Sequence, residues 1–250
     1  MKQRLKHIVV ILGVLLMCAA FVASYLVASP QKYEDGNKII PSKTSVEISH
    51  EAEQAFVTPA DVLSLLNLSI KDTVLRSVDT RKLEQELIEK SPYIKSATAY
   101  VAPQSHSLQI ELEERQPLMA LYYGEKASYI DAEGIIFPNR KGAAYVPVVT
   151  GNISEKTAQT YLLDLAHYLE EHKKWRNFFG SIHVVSEKEI YLYPRVGEFV
   201  FCISPKIDFD EQLGKVDIFY EKILPRTGVN KYSVVNLSYR NQIVCTKRGE

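Results

Sequence analysis

The chain has 250 residues, carries 30 Lys and Arg against 30 Asp and Glu, and is 46% hydrophobic. A net charge of zero leaves no basic excess for a nucleic-acid partner. The apolar share suffices for one large packed domain or two small ones.

In chain order, the first signal is a membrane span. No Asp, Glu, Lys or Arg occurs between Lys6 and Lys32, and the stretch from Ile8 to Ala28 is almost wholly apolar. As a helix it reaches roughly 30 Å, the thickness of a bilayer's hydrocarbon core. Lys2, Arg4 and Lys6 precede it, and the mixed charges of Lys32, Glu34, Asp35 and Lys38 follow. The positive-inside bias therefore places residues 1–7 in the cytoplasm and the bulk outside. A cleaved signal peptide is the alternative. The run is longer than such a core needs, and a cut after Ser29 would leave Pro30 first, so a retained anchor is the preferred reading.

Residues 29–43 are polar with turn formers and read as a linker. Val46 and Ile48 then alternate with polar neighbours in a short strand. Thr58-Pro59-Ala60-Asp61 is a helix start, with Thr58 as cap, Pro59 in the first turn and Asp61 at the positive end. That helix buries Val62, Leu65 and Leu66. Asp79 caps a second helix whose inner face carries Leu83, Leu87 and Ile88, and Ser91-Pro92 ends it. Strands over 94–101 and 107–113 follow, joined around Pro103; Leu108, Ile110 and Leu112 point inward. The order β-α-α-β-β over residues 44–115 predicts a small two-layer module with helices on one face of three strands.

From Gln116 the texture changes to short strands, over 118–123, 127–130 and 135–137, with turns at Gly124 and at Asp131-Ala132-Glu133-Gly134. Residues 146–151 read as a short edge segment. A helix over 154–173 turns Leu162, Leu165 and Leu169 inward. Strands at 181–185, 189–193 and 198–203 precede a helix over 210–224 that buries Leu213, Val216, Tyr220 and Ile223. Strands at 232–239 and 242–246 end the chain. The whole is an α+β protein: a transmembrane helix, a βααββ module, and a mixed, mostly antiparallel sheet with two helices over 116–250.

Residues able to carry chemistry are few and scattered. His167 and His172 lie five apart and diverge by roughly 140° on a helix. No His-Glu-x-x-His pattern, zinc-spaced cysteine pair, nucleophile elbow or phosphate loop occurs. Neither a metal nor a cofactor is called for. Cys18 lies in the span. Cys202 and Cys245 face an oxidising compartment under this topology, able to bridge or to serve as small core residues, the second being preferred. Trp175, flanked by Lys174 and Arg176, reads first as a core contact at a helix end.

The chain resembles the FtsQ/DivIB family of bitopic bacterial cell-division proteins. The resemblance is carried by Val78-Asp79, Leu83, Leu87 and Ser91-Pro92-Tyr93-Ile94-Lys95-Ser96-Ala97. It continues in Leu108 to Leu112, Glu113-Glu114-Arg115-Gln116-Pro117, Tyr129-Ile130-Asp131 and Gly134-Ile135-Ile136-Phe137. Val146-Pro147-Val148-Val149-Thr150-Gly151, then Tyr232 and Val235-Asn236-Leu237-Ser238-Tyr239, complete it. Glu114-Arg115-x-Pro117, at the junction of the two modules, is the most telling step.

The resemblance implies a POTRA domain followed by a β domain, no catalysis, and a place in the inner membrane at the division septum. It implies partners of the FtsB/DivIC and FtsL kinds, bitopic coiled-coil proteins, and a role in recruiting and regulating septal wall synthesis. Docking in the family adds a partner strand at the end of the β domain. The matching positions are Tyr239, Gln242, Ile243, Val244, Cys245 and Thr246. Family members carry a basic residue before the tyrosine; this chain has Ser238, with Lys247 or Arg248 as the substitute. Competing readings are a POTRA-bearing component of outer-membrane protein assembly or secretion, and a membrane-anchored wall hydrolase.

Overall fold

The computed structural model describes residues 38–49, 55–69, 71–102, 104–123, 126–139 and 144–249. The expected tail, the span from Ile8 to Ala28, most of the linker, Pro103 and Gly124 lie outside the described residues. Among the described residues no helix is long and apolar enough to cross a membrane.

The first module opens earlier than composition suggests. Lys38–Ile39 (β1) pairs with Arg76–Ser77 (β3), Ile39 is buried, and Ile40 N–H donates to His106 O at 2.8 Å. The last part of the polar linker is thus folded structure, because Ile39 has an apolar pocket to fill. Ser45–Ser49 (β2) runs parallel to Ser107–Glu114 (β5), which pairs antiparallel with Ile94–Ala102 (β4), giving the order β2-β5-β4. Pro59–Leu65 (α1) starts with a capping box in which Thr58 and Asp61 satisfy each other's backbone N–H groups. Asp79 caps Thr80–Lys90 (α2) by accepting from Lys82 N–H at 3.2 Å. Val62 and Leu87 seal against Leu108, Ile110 and Leu112. Ile88 is 40% exposed, a correction to its expected place on the inner face. It lies about 100° around the helix from Leu87, past the edge of the buried stripe.

The second region is a nine-stranded sheet. Its strands are Pro117–Tyr123 (β6), Lys126–Asp131 (β7), Ile136–Pro138 (β8), Val148–Gly151 (β9), Phe179–Ser186 (β10), Glu189–Pro194 (β11), Val200–Ile203 (β12), Tyr232–Asn236 (β13) and Val244–Lys247 (β14). Their order across the sheet is β14-β13-β12-β11-β10-β9-β6-β7-β8. β9 is parallel to both neighbours and β12 is parallel to β13; the other pairings are antiparallel. β9 is therefore an interior strand and not the edge segment expected of residues 146–151. Its apolar run is what two flanking strands require.

One sheet face is covered by Glu155–Thr157 (α3), Leu163–Glu171 (α4), Lys173–Arg176 (α5), Phe209–Ile218 (α6) and Leu224–Thr227 (α7), with wider turns at Ala158–Leu162 and Phe219–Ile223. Leu162, Leu165, Leu169, Leu213, Val216 and Phe219 meet Ile182, Val184, Ile190, Leu192, Phe201 and Val235 there. Trp175 belongs to this core, edge-on to Phe178 and stacked on Phe179.

A second core straddles the two regions. Phe56, Val57, Leu87 and Leu108 pack in one cluster with Ala120, Tyr129 and Phe137. Polar contacts border the seam. Arg115 Nη1 donates to Asp131 Oδ2 at 2.7 Å, and Asp131 Oδ1 accepts from the N–H groups of Glu133 and Ile135. Gly134 closes that turn with φ +77°, a conformation that favours glycine. Glu114 Oε1 accepts from Val57 N–H at 2.6 Å.

Candidate partner-docking edge

β14 pairs with β13 on one side and, among the described residues, has no strand on the other. Register alternates its side chains. Cys245 stands beside Val235 on the helix-covered face, and Val244 and Thr246 stand beside Asn236 and Val234 on the open face. The sequence-derived residues thus do not form one surface. Ile243 and Cys245 pack against the core, Val244 and Thr246 face outward, and Tyr239 and Gln242 lie in the connection before the strand. Tyr239 is 52% exposed and Val244 44%. What unites the set is the backbone edge of β14.

Two other edges, β4 and β8, carry fittings that blunt them. On β4, the N–H of Ala99 donates to Glu84 Oε1 at 2.7 Å, so a helix side chain occupies a ladder position. β8 is short and ends in Pro138, which has no N–H to offer. β14 has no proline.

The approach to β14 is built by α6. Along that helix and into the turn after it, Gln212, Lys215, Val216 and Phe219 share one buried stripe. Gln212 accepts from Ser204 N–H at 2.7 Å and donates to the carbonyls of Ser204 and Ile207, fixing the end of β12. Lys215 Nζ donates to the carbonyls of Leu237 and Tyr239. Asn236 Oδ1 accepts from Ser238 N–H and Oγ, an Asx-type turn. Sequence reasoning passed over Gln212 and Lys215. The available signal was two polar residues interrupting a stripe of helical period.

Cys202 and Cys245 are free thiols. β13 lies between their strands, and register sends Cys202, itself buried, to the face away from the helices beside Tyr191 and Cys245 to the helix-covered one. Strands two apart are separated by roughly 9–10 Å, beyond disulfide reach. Burial first, then the charge of Glu189, pushes the Cys202 thiol up to about 12. Tyr191 beside it is also raised to about 12, first through its hydrogen bond to Glu189.

Among the described residues no group of His, Cys, Asp and Glu is arranged to hold a metal ion. A cleft between α4 and α6 is lined by Tyr168, His172, Lys174, Trp175, Asp210 and Asp217. Lys174 is engaged with Asp217 there, and Tyr168 donates to Asp210.

Residues 116–246 match the family model described as FtsQ/DivIB, C-terminal related, and residues 40–113 match that of the POTRA-like domain. The chain belongs to the FtsQ/DivIB-related family. No curated protein matches it. Both FtsQ/DivIB-like and POTRA domains are non-catalytic, and together they indicate a divisome-type protein of cell division with protein partners. The FtsQ/DivIB family also implies attachment to the membrane.

Proposed function

We propose that the chain is a non-enzymatic, single-span scaffold of the divisome. Residues 1–7 form a cytoplasmic tail, 8–28 the anchor and 29–43 the connection, whose residues 38–43 already fold onto the POTRA-like domain over 44–115; a β domain follows over 116–250. The extracytoplasmic part binds FtsB/DivIC-like and FtsL-like partners, and so recruits and regulates septal wall synthesis. Docking occurs by strand addition at β14, with Tyr239 as anchor and Gln242, Ile243, Val244, Cys245 and Thr246 along the edge.

The observation that carries this reading is the bare β14 edge with exposed Tyr239 and Val244, in a protein whose β4 and β8 edges are blunted. An unpaired edge offers main-chain hydrogen bonds to an extended segment, and alternate side chains give selectivity. The test is binding of residues 38–250 to the extracytoplasmic region of the FtsB/DivIC-like protein of the same cell. Removing an aromatic anchor costs about 2 kcal/mol, so Tyr239→Ala should weaken affinity roughly 30-fold. Unchanged affinity discards the docking edge. A reporter joined after residue 30 should lie outside the cytoplasm; a cytoplasmic reporter refutes the anchor.

A further inference from the structure

Lys215 lies within α6, on the face pressed to the sheet, with a side chain 8% exposed. Its Nζ donates to Leu237 O at 2.6 Å and to Tyr239 O at 2.7 Å. The third direction has Glu211 Oε1 at 3.9 Å, one helical turn back. That carboxylate oxygen is buried and has no hydrogen-bond partner of its own. Two hydrogen bonds to carbonyls and one carboxylate at ion-pair distance thus surround the ammonium, and a buried cation needs such partners to be tolerated.

Closing the core does not call for a charge here. An apolar side chain of similar length fills such a volume without the desolvation cost of an ammonium. The two carbonyls identify what the charge does. The β13–β14 ladder ends at the Asn236–Val244 pair, and Leu237 N–H still donates to Cys202 O. Beyond Leu237 the chain leaves the sheet, turns through Asn241 at φ +56°, and returns as β14. Lys215 grips the backbone on both sides of Ser238, where the direction of Tyr239 is set.

We infer that Lys215 is the positioning residue of the docking edge. It clamps the backbone from Leu237 to Tyr239 so that the Tyr239 ring and the start of β14 are in place before a partner strand arrives. The inference rests on the docking reading above and adds its mechanism. Ordering a binding loop in advance removes that entropic cost from association.

The probe is the purified extracytoplasmic region of the same cell's FtsB/DivIC-like protein, titrated against wild type, Lys215→Met, Lys215→Arg, Tyr239→Ala and the Met/Ala double variant. Lys215→Met should weaken binding about tenfold, while Lys215→Arg, which keeps charged donors, stays within about threefold of wild type. In the Tyr239→Ala background, Lys215→Met should add less than about threefold, because its effect passes through Tyr239. A merely structural lysine would give additive losses. In the free protein, hydrogen exchange should accelerate across residues 239–244 in Lys215→Met and stay unchanged in β10 and β11. Wild-type affinity in Lys215→Met, or additivity in the double variant, overturns the inference and leaves docking at β14 standing. Failure of wild type to bind overturns both. Should Lys215→Met not fold, Lys215→Gln replaces it and must show the same loss, with the arginine variant still rescuing.

Discussion

Phe56→Ala tests whether the two regions are joined through a shared core. Phe56 is 5% exposed and stacks on Tyr93 at 5.6 Å between ring centroids, with Tyr129 at 5.8 Å and Phe137 edge-on at 6.0 Å. The first two rings belong to the POTRA-like region and the last two to β7 and β8. Deleting a buried Phe side chain typically costs about 3–5 kcal/mol, and the aromatic pairs lost with it are already within that figure. The ring sits at a seam that can partly collapse, so about 3–4 kcal/mol is expected, a large share of a domain's net stability. The loss falls on the coupling. Trp175, the chain's one tryptophan, reports on the helix-covered core alone, whereas far-UV circular dichroism reports on both regions. In urea the two signals should change together in wild type and separate in Phe56→Ala, with Trp175 the later. Coincident transitions shifted by less than about 1 kcal/mol, or signals already separate in wild type, refute the shared core.

Asp131→Ala strips the buried end of its pair with Arg115 and the acceptor of two turn N–H groups. A loss of about 3–5 kcal/mol in chemical denaturation is expected, with Asp131→Asn less severe. Lys95 lies 3.1 Å from both Glu113 and Glu133, linking β4 to the turn after β7. The hydrogen bond from Lys95 holds the Glu133 carboxyl below its usual 4.5, and Glu133, then Glu113, raise Lys95 above 10.5. The carboxylate contribution is complete above pH 4.5 and fades as pH falls through the depressed value. The ammonium contribution is complete below pH 10.5 and fades as pH rises through the raised one. These groups are more than a third exposed, so Lys95→Ala should cost under about 1 kcal/mol at neutral pH and show less acid dependence. Oxidation of folded residues 38–250 should leave Cys202 and Cys245 unlinked, and Cys202 should alkylate slowly at neutral pH; a native disulfide in mass spectrometry contradicts the register.

Local chemistry was legible. Thr58-Pro59-x-Asp61 and Asp79 start helices because a side-chain acceptor near a backbone donor is a short-range fact. The inward alternation of Leu108, Ile110 and Leu112, and the stripe of Leu162, Leu165 and Leu169, follow from strand and helix periods. What depends on distant segments was not. Val148 and Val149 gave no sign that strands from both sides of the chain would enclose them. Tyr129 and Phe137 read as ordinary strand residues until Phe56 and Tyr93 met them. Glu84 reads as a solvated helix charge, yet it occupies the N–H of Ala99. At the docking edge, the place of Tyr239 and its neighbours came from the family resemblance, and Lys215 was visible only as a break in an apolar stripe.

The bare edge also raises the question of why copies of this chain would not pair with each other through it. An exposed strand is a template for self-association unless something discourages it. Arg240 lies before β14, and Lys247 and Arg248 lie at its end. Two copies joined in parallel would set each cation beside its own counterpart, and an antiparallel pair would bring Arg240 of one near Arg248 of the other. Either arrangement gathers like charges at the ends of the strand pair, which disfavours it. Arg248 is partly engaged by Glu198, at 3.5 Å, and still keeps its charge at that end. The same placement leaves the strand from Val244 to Thr246 free of charge. An edge that repels its own kind and stays open to a different strand is suited to an unlike partner, and the proposed scaffold role requires that asymmetry.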